Sequence, residues 1–140
     1  MKDNAERILY TAFFLDFNDM WDKIGHITKG RYERVIKKPH ITILYKPKKI
    51  DYSLIGERVR VLVTGYGYSD ENEGLFVKVI TDNDRLDSLY KSVEVPHITL
   101  SVKKCGQAVN TRYVKFKDIK PIELTAVYGA LTENGQLICR

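Results

Sequence analysis

Apolar residues along this chain fall in short runs separated by charged or glycine-bearing stretches, and the period within each run predicts its element. Arg7 to Asp16 (RILYTAFFLD), dense in β-branched, aromatic and aliphatic residues, predicts a buried strand. From Asp16 to Ile24 the apolar side chains Phe17, Met20, Trp21 and Ile24 recur at helical spacing behind Asp16 or Asn18 as a cap, which predicts a short helix. Gly25 and Gly30 bracket a loop, and Arg31 to Lys38 is a basic run. In Pro39-His40-Ile41-Thr42-Ile43-Leu44 the alternation is that of a strand, with Ile41, Ile43 and Tyr45 turned toward a core. Tyr45 to Ser53, lysine-rich and carrying Pro47, predicts a loop. Glu57 to Ser69 predicts a strand ending in a glycine-aromatic segment, followed by a polar hairpin at Asp70 to Gly74 and a strand from Leu75 to Ile80. Asp82 to Val93 predicts a short helix, started by Asp82 or Asn83, with Leu86, Leu89 and Tyr90 inward. A second Pro-His-Ile-Thr strand, Pro96-His97-Ile98-Thr99-Leu100-Ser101, turns Ile98, Leu100 and Val102 inward. Lys103 to Asn110 then predicts a loop, Arg112 to Phe116 a short strand, and Ile122 to Ala130 a strand joined through Asn134-Gly135, a strong hairpin signal, to Leu137-Ile138.

Many short strands and two helices in like halves describe an α+β chain. At 140 residues and 16.2 kDa it is one domain by length, able to hold two small lobes around a shared cleft. With 44% hydrophobic and 29% charged residues the composition is that of an ordinary globular protein, which argues against disorder. A net charge of +5 suits an anionic ligand, although most excess lysine is simply solvated. Cys105 and Cys139 are too few and too far apart for a disulfide scaffold or a zinc site, and free thiols in a reducing compartment are expected. Met1 to Arg7 is charged and the apolar run behind it breaks at Asp16, so no signal peptide is expected. No stretch approaches the roughly 20 apolar residues of a membrane span. The expectation is a cytoplasmic protein, in the host cytoplasm if phage-encoded.

The repeated motif carries the chemistry. On a strand, residues at i and i+2 share a face, so His40 with Thr42 and His97 with Thr99 present two imidazoles and two hydroxyls away from the core. Phosphodiester cleavage wants such a set: one neutral imidazole takes a proton from the attacking oxygen, and the other, as imidazolium, gives one to the leaving oxygen. The threonine hydroxyls donate to the non-bridging phosphate oxygens. The scheme requires no metal and no other cofactor. The third histidine supplies a control, since His26 also begins a His-Ile-Thr but lies between glycines with no apolar run behind it. It reads as a chance match in a loop.

Paired H-x-T motifs on strands resemble the signature of the 2H phosphoesterase superfamily. The resemblance implies two pseudosymmetric lobes with antiparallel sheets and few helices around a central cleft. It also implies a metal-independent phosphodiesterase acting on a nucleotide substrate. Cyclic di- or trinucleotide signals are the first expectation, as in the phage anti-CBASS branch. RNA ends bearing 2',3'-cyclic phosphates and 2'-5' linkages are the alternative. In that branch a tyrosine upstream of the first motif and a glutamate downstream of the second join the site, and Tyr10 and Glu123 stand at such positions.

Two readings stay open for Gly65-Tyr66-Gly67-Tyr68: a bulged strand end with surface tyrosines, or Tyr66 or Tyr68 stacking on a base at the cleft. No helix follows it, so it is not a dinucleotide fingerprint. A reading from another class is a catalytically silent RNA-binding module, for which tyrosines and a basic balance also suffice. Neither reading calls for an obligate protein partner.

Overall fold

The computed structural model describes residues 7–139, so Met1 to Glu6, on which the leader reading largely rests, lie outside the described residues. Eight strands and two α-helices follow one another as β1 (Ile8–Leu15), α1 (Phe17–Ile24), β2 (Arg34–Val35), β3 (His40–Tyr45), β4 (Arg58–Tyr68), β5 (Asn72–Ile80), α2 (Asp84–Lys91), β6 (His97–Val102), β7 (Lys117–Thr132) and β8 (Leu137–Ile138). Every ladder is antiparallel, and the strands form one continuous sheet in the order β2-β6-β5-β4-β7-β1-β3, with β8 hairpinned onto β7. The architecture is therefore α+β, with one sheet in place of separate ones.

Each helix starts where a polar side chain can take up free backbone N–H groups. Asp16 caps α1 by accepting from the Asp19 N–H (2.8 Å), and Asn83 caps α2 by accepting from those of Arg85 and Leu86. Met20 and Ile24 of α1 and Leu86 of α2 are buried in one core with Phe13, Ile41, Val61, Val77, Ile98, Leu100, Leu124 and Tyr128. Burying the face that alternation marks as apolar, at roughly 25 cal/mol per Å² removed from water, holds helices and sheet together.

The two motif strands are built alike. Phe14 of β1 stands opposite His40, and Phe76 of β5 opposite His97. The N–H of Leu15 donates to Pro39 O (3.0 Å), and that of Val77 to Pro96 O (3.1 Å). Both strands bulge at the residue after the motif threonine, Ile43 in β3 and Leu100 in β6, where the pairing with β1 and β5 skips one position. A one-residue insertion resets the alternation. Tyr45, expected in the core, is accordingly 66% exposed, while Leu44 packs against the core. Past the other bulge Ser101 meets Glu73 on the core side, and Val102 is buried beneath the loop at Gly106.

Two other elements differ from expectation. Arg112 to Phe116 is no strand; Ala108–Tyr113 forms 3-10 turns in which Thr111 is buried. Strand β7 starts at Lys117, earlier than its apolar stretch, because Pro121 sits where the β4–β7 register shifts between Val63 and Gly65, a place that needs no ladder hydrogen bond from it.

Candidate active site

Although β3 and β6 lie near opposite ends of the strand order, their motif residues line one cavity of about 640 Å³. The N–H of Ile36, just past β2, donates to Leu100 O (2.9 Å) and ties the segment leading into β3 onto β6. His40, Thr42, His97 and Thr99 all reach this cavity, as does Tyr10.

The imidazoles are held in the same way. His40 Nδ1 lies 2.8 Å from Lys38 O, and His97 Nδ1 lies 2.7 Å from Val95 O, in each case the carbonyl two residues upstream. A carbonyl only accepts, so Nδ1 carries the hydrogen in both rings and Nε2 is the nitrogen left for chemistry. Neutral, Nε2 is a base; charged, it is a donor. Tyr10 stacks on His40 with ring centroids 4.7 Å apart and planes at 23°, and Phe14 adds a tilted contact at 5.7 Å.

Burial lowers the His40 pKa from its ordinary value; the bond to Lys38 O opposes this, and the second imidazole adds to it. For His97 burial again dominates, the Val95 bond opposes it, and the Arg112 guanidinium lowers the pKa further. Burial pushes the Tyr10 phenol up to about 12, so it stays neutral beside the histidines.

The two threonines differ. Thr42 is exposed on β3. Thr99 is partly buried, with its hydroxyl 2.9 Å from Thr111 Oγ1 and 3.3 Å from Ala108 O. Thr111 can come this close because residue 74 is glycine, where a Cβ would meet Thr111 Cγ2 at 2.4 Å and Ile98 O at 2.8 Å.

Three residues expected at the site lie elsewhere. Tyr66 and Tyr68 stand opposite Leu75 and Glu73, on the core-facing side of the sheet, whereas His97 and Thr99 stand opposite Phe76 and Gly74, on the other. The Tyr66 hydroxyl donates to Glu73 (2.6 Å), and the Arg31 guanidinium covers the Tyr68 ring at 3.6 Å. Glu123 is absent from the cavity wall; exposed on β7, it accepts two bonds from Arg60 (2.8 and 3.0 Å). Alternation continued from Val59, Val61 and Val63 would turn both tyrosines away from the core, and the position skipped at Thr64 turns them toward it, whereas Glu123 keeps the outer face its own strand's alternation gives it.

His26 is exposed in its loop, away from the cavity, as expected. Its companion Thr28 is used for structure, donating to the buried Glu73 carboxylate. Residues that the sequence did not single out also line the cavity, chiefly Arg112, Tyr45, Gln107 and Val109. Arg112 was legible only as a basic residue after the second motif, because its direction depends on the 3-10 turns. Among the described residues no three His, Cys, Asp or Glu side chains are grouped to hold a metal ion, and no helix is long and apolar enough to cross a membrane.

A scan against protein-family models gives no match, and a search among curated proteins finds none significantly similar to this chain.

Proposed function

We propose that the chain is a metal-independent phosphodiesterase of the 2H type. The observation that carries this reading is the pair of imidazoles on one cavity, each with Nδ1–H bound to the carbonyl two residues upstream and Nε2 free. A binding module has no need of two proton carriers held in matching tautomers. The like ladders and bulges of β3-β1-β7 and β6-β5-β4 support reading the halves as pseudosymmetric lobes, with β4 and β7 as the seam.

In the proposed reaction a phosphodiester lies between the histidines. The neutral Nε2 of one takes the proton of the attacking oxygen as its bond to phosphorus forms. The imidazolium of the other gives its proton to the leaving oxygen as the second P–O bond breaks. Thr42, Thr99 and the Arg112 guanidinium meet the charge on the non-bridging oxygens. Exchange with water returns the imidazoles to their starting states.

For the substrate we favour a cyclic di- or trinucleotide over an RNA end with a 2',3'-cyclic phosphate or a 2'-5' linkage. A cavity of about 640 Å³ lies within the roughly 300–1,000 Å³ usual for small-molecule sites, and Tyr45 exposes its ring at the wall, where a base can stack. Tyr10 stays in this reading as a wall of the site, while Glu123 drops out of it. The competing RNA-binding reading draws on the cation-aromatic face of Arg31, Tyr68, Tyr32 and Lys103, outside the cavity.

The test is cleavage of a panel of cyclic oligonucleotides, 2'-5' dinucleotides and cyclic-phosphate RNA ends in the presence of a chelator. Turnover of one class, lost in His40→Ala and His97→Ala, is the expected result. Binding of single-stranded RNA that survives both substitutions, with no cleavage, would replace the proposal by the binding module.

A further inference from the structure

Beside the second motif lies a short run of buried polar groups. Asn72, on β5, is 1% exposed, and its side-chain nitrogen lies 2.8 Å from Gln107 O and 3.0 Å from Thr111 Oγ1. Thr111, 0% exposed, lies 2.9 Å from Thr99 Oγ1, and Thr99 lies 3.3 Å from Ala108 O.

Hydrogen bookkeeping gives this run a direction. The Gln107 carbonyl can only accept, so the group of Asn72 facing it is the NH₂. That nitrogen has two hydrogens, and the second points at Thr111 Oγ1, which must accept. Thr111 is fully buried and, among the described residues, Thr99 Oγ1 is the one acceptor beside its hydroxyl, so the Thr111 proton is directed there and Thr99 accepts; the opposite sense, Thr99 donating to Thr111, would leave the Thr111 proton buried without an acceptor. Thr99 keeps its own proton for donation, either to Ala108 O through a long and weak bond or to a ligand in the cavity. Bonds in such a chain polarise one another and strengthen the last donor. Thr42, exposed on the other strand, shows no such chain among the described residues.

We infer that Asn72 and Thr111 are positioning residues that fix the Thr99 hydroxyl as a donor into the cavity, so that the β6 half of the site is preorganised for phosphoryl oxygens and the β3 half is not. This rests on the phosphodiesterase reading and deepens it. With Arg112 on the same side, charge developing on the phosphoryl group is met mainly by β6 and the turns behind it. A donor already oriented costs no rearrangement when the transition state forms, so its effect falls on kcat rather than on substrate affinity.

The test uses bis(4-nitrophenyl) phosphate and 2',3'-cyclic AMP as probes. Loss of one oriented donor costs about 10² to 10³ in kcat, and loss of its orientation alone should cost less, roughly tenfold. Thr111→Val should lower kcat by about that much with KM within roughly twofold, and Thr111→Ser should restore it. Thr99→Val should lower kcat by about 10², and adding Thr111→Val to it should change nothing further, since both act through one hydroxyl. In the wild-type protein NMR should find the Thr111 hydroxyl proton slow to exchange and close to Thr99, a result that does not depend on any variant folding. An active wild type with kcat unchanged in Thr111→Val, additive losses in the double variant, or a fast-exchanging Thr111 hydroxyl would overturn the relay alone. A wild type that turns over neither probe nor any member of the oligonucleotide panel would overturn the phosphodiesterase reading and the relay with it.

Discussion

Glu73 offers the sharpest prediction about stability. Its carboxylate is fully buried at the start of β5, with Oε2 accepting from Thr28 and from the Tyr66 hydroxyl (2.6 Å) and Oε1 accepting from Ser101 Oγ (2.7 Å) and the Arg31 N–H (3.0 Å). Thr28 and Arg31 come from the 25–32 loop and Tyr66 and Ser101 from strands β4 and β6, so the carboxylate binds the loop to the sheet. Hydrogen bonds to a charged group are worth about 1.5–3 kcal/mol each, against about 1 for neutral pairs. In Glu73→Gln the amide oxygen keeps two donors as neutral bonds and the NH₂ confronts the other two, whose hydroxyls must turn to accept. We expect a loss of about 2–4 kcal/mol, or roughly 6–15 °C in Tm for a domain of this length. Acid supplies a second arm. Burial pushes the Glu73 carboxyl up, but the bonds from Thr28, Tyr66, Arg31 and Ser101 together outweigh it and hold the pKa below the usual value. A depressed carboxylate pKa stabilises the fold above the unfolded value of about 4.3, and that contribution is lost as pH falls through the folded pKa. The gap between wild type and Glu73→Gln should therefore close in strong acid. Thermal and urea unfolding from pH 3 to 7 measure both arms. A Tm within about 2 °C of wild type at pH 7, or a gap that persists unchanged to pH 3, would mean that the Glu73 charge is not what holds the loop to the sheet.

Five further outcomes are expected. His40→Ala and His97→Ala should each lower turnover by about 10² to 10⁴ while His26→Ala is silent, and an equal loss in His26→Ala would mean the wrong pair was chosen. Activity should survive EDTA; loss on chelation, restored by a divalent ion, would replace the proposed mechanism. Because the pKa values of both histidines are lowered, the state with one ring charged is depleted as pH rises, so kcat/KM should pass through a bell whose alkaline limb lies below about pH 6.5, and Arg112→Gln should move that limb upward. By the same sign the unfolded chain binds more protons than the native one below about pH 6.5, and Tm should decline with acidification less steeply in a His40→Gln/His97→Gln variant. Glu123→Ala should leave the ratio of kcat/KM between adenine and uracil substrates unchanged, since its carboxylate is engaged by Arg60, and a changed ratio would return it to the site.

Local periodicity alone placed the elements that depend on neighbours in sequence. The two Pro-His-Ile-Thr strands, the helices behind Asp16 and Asn83, and the turn at Gly135, whose φ of +89° suits glycine, are each set by side chains a few residues apart. The i, i+2 rule likewise put His40 with Thr42 and His97 with Thr99. Everything that depends on a partner strand had to wait for the sheet. A single skipped position at Ile43 turned Tyr45 from the core to the cavity, and nothing in Glu123's own neighbourhood announces Arg60, 63 residues away on β4. Tyr66 and Tyr68, candidates by their chemistry for a base contact, stand on the opposite face from the cavity, and Thr111 and Arg112 reach it only because 3-10 turns replace a strand, with Gly74 leaving room for Thr111. A strand's alternation decides which of two faces a side chain takes only as far as the next bulge. What waits on that face is decided by ladder register, which is set by contacts distant in sequence.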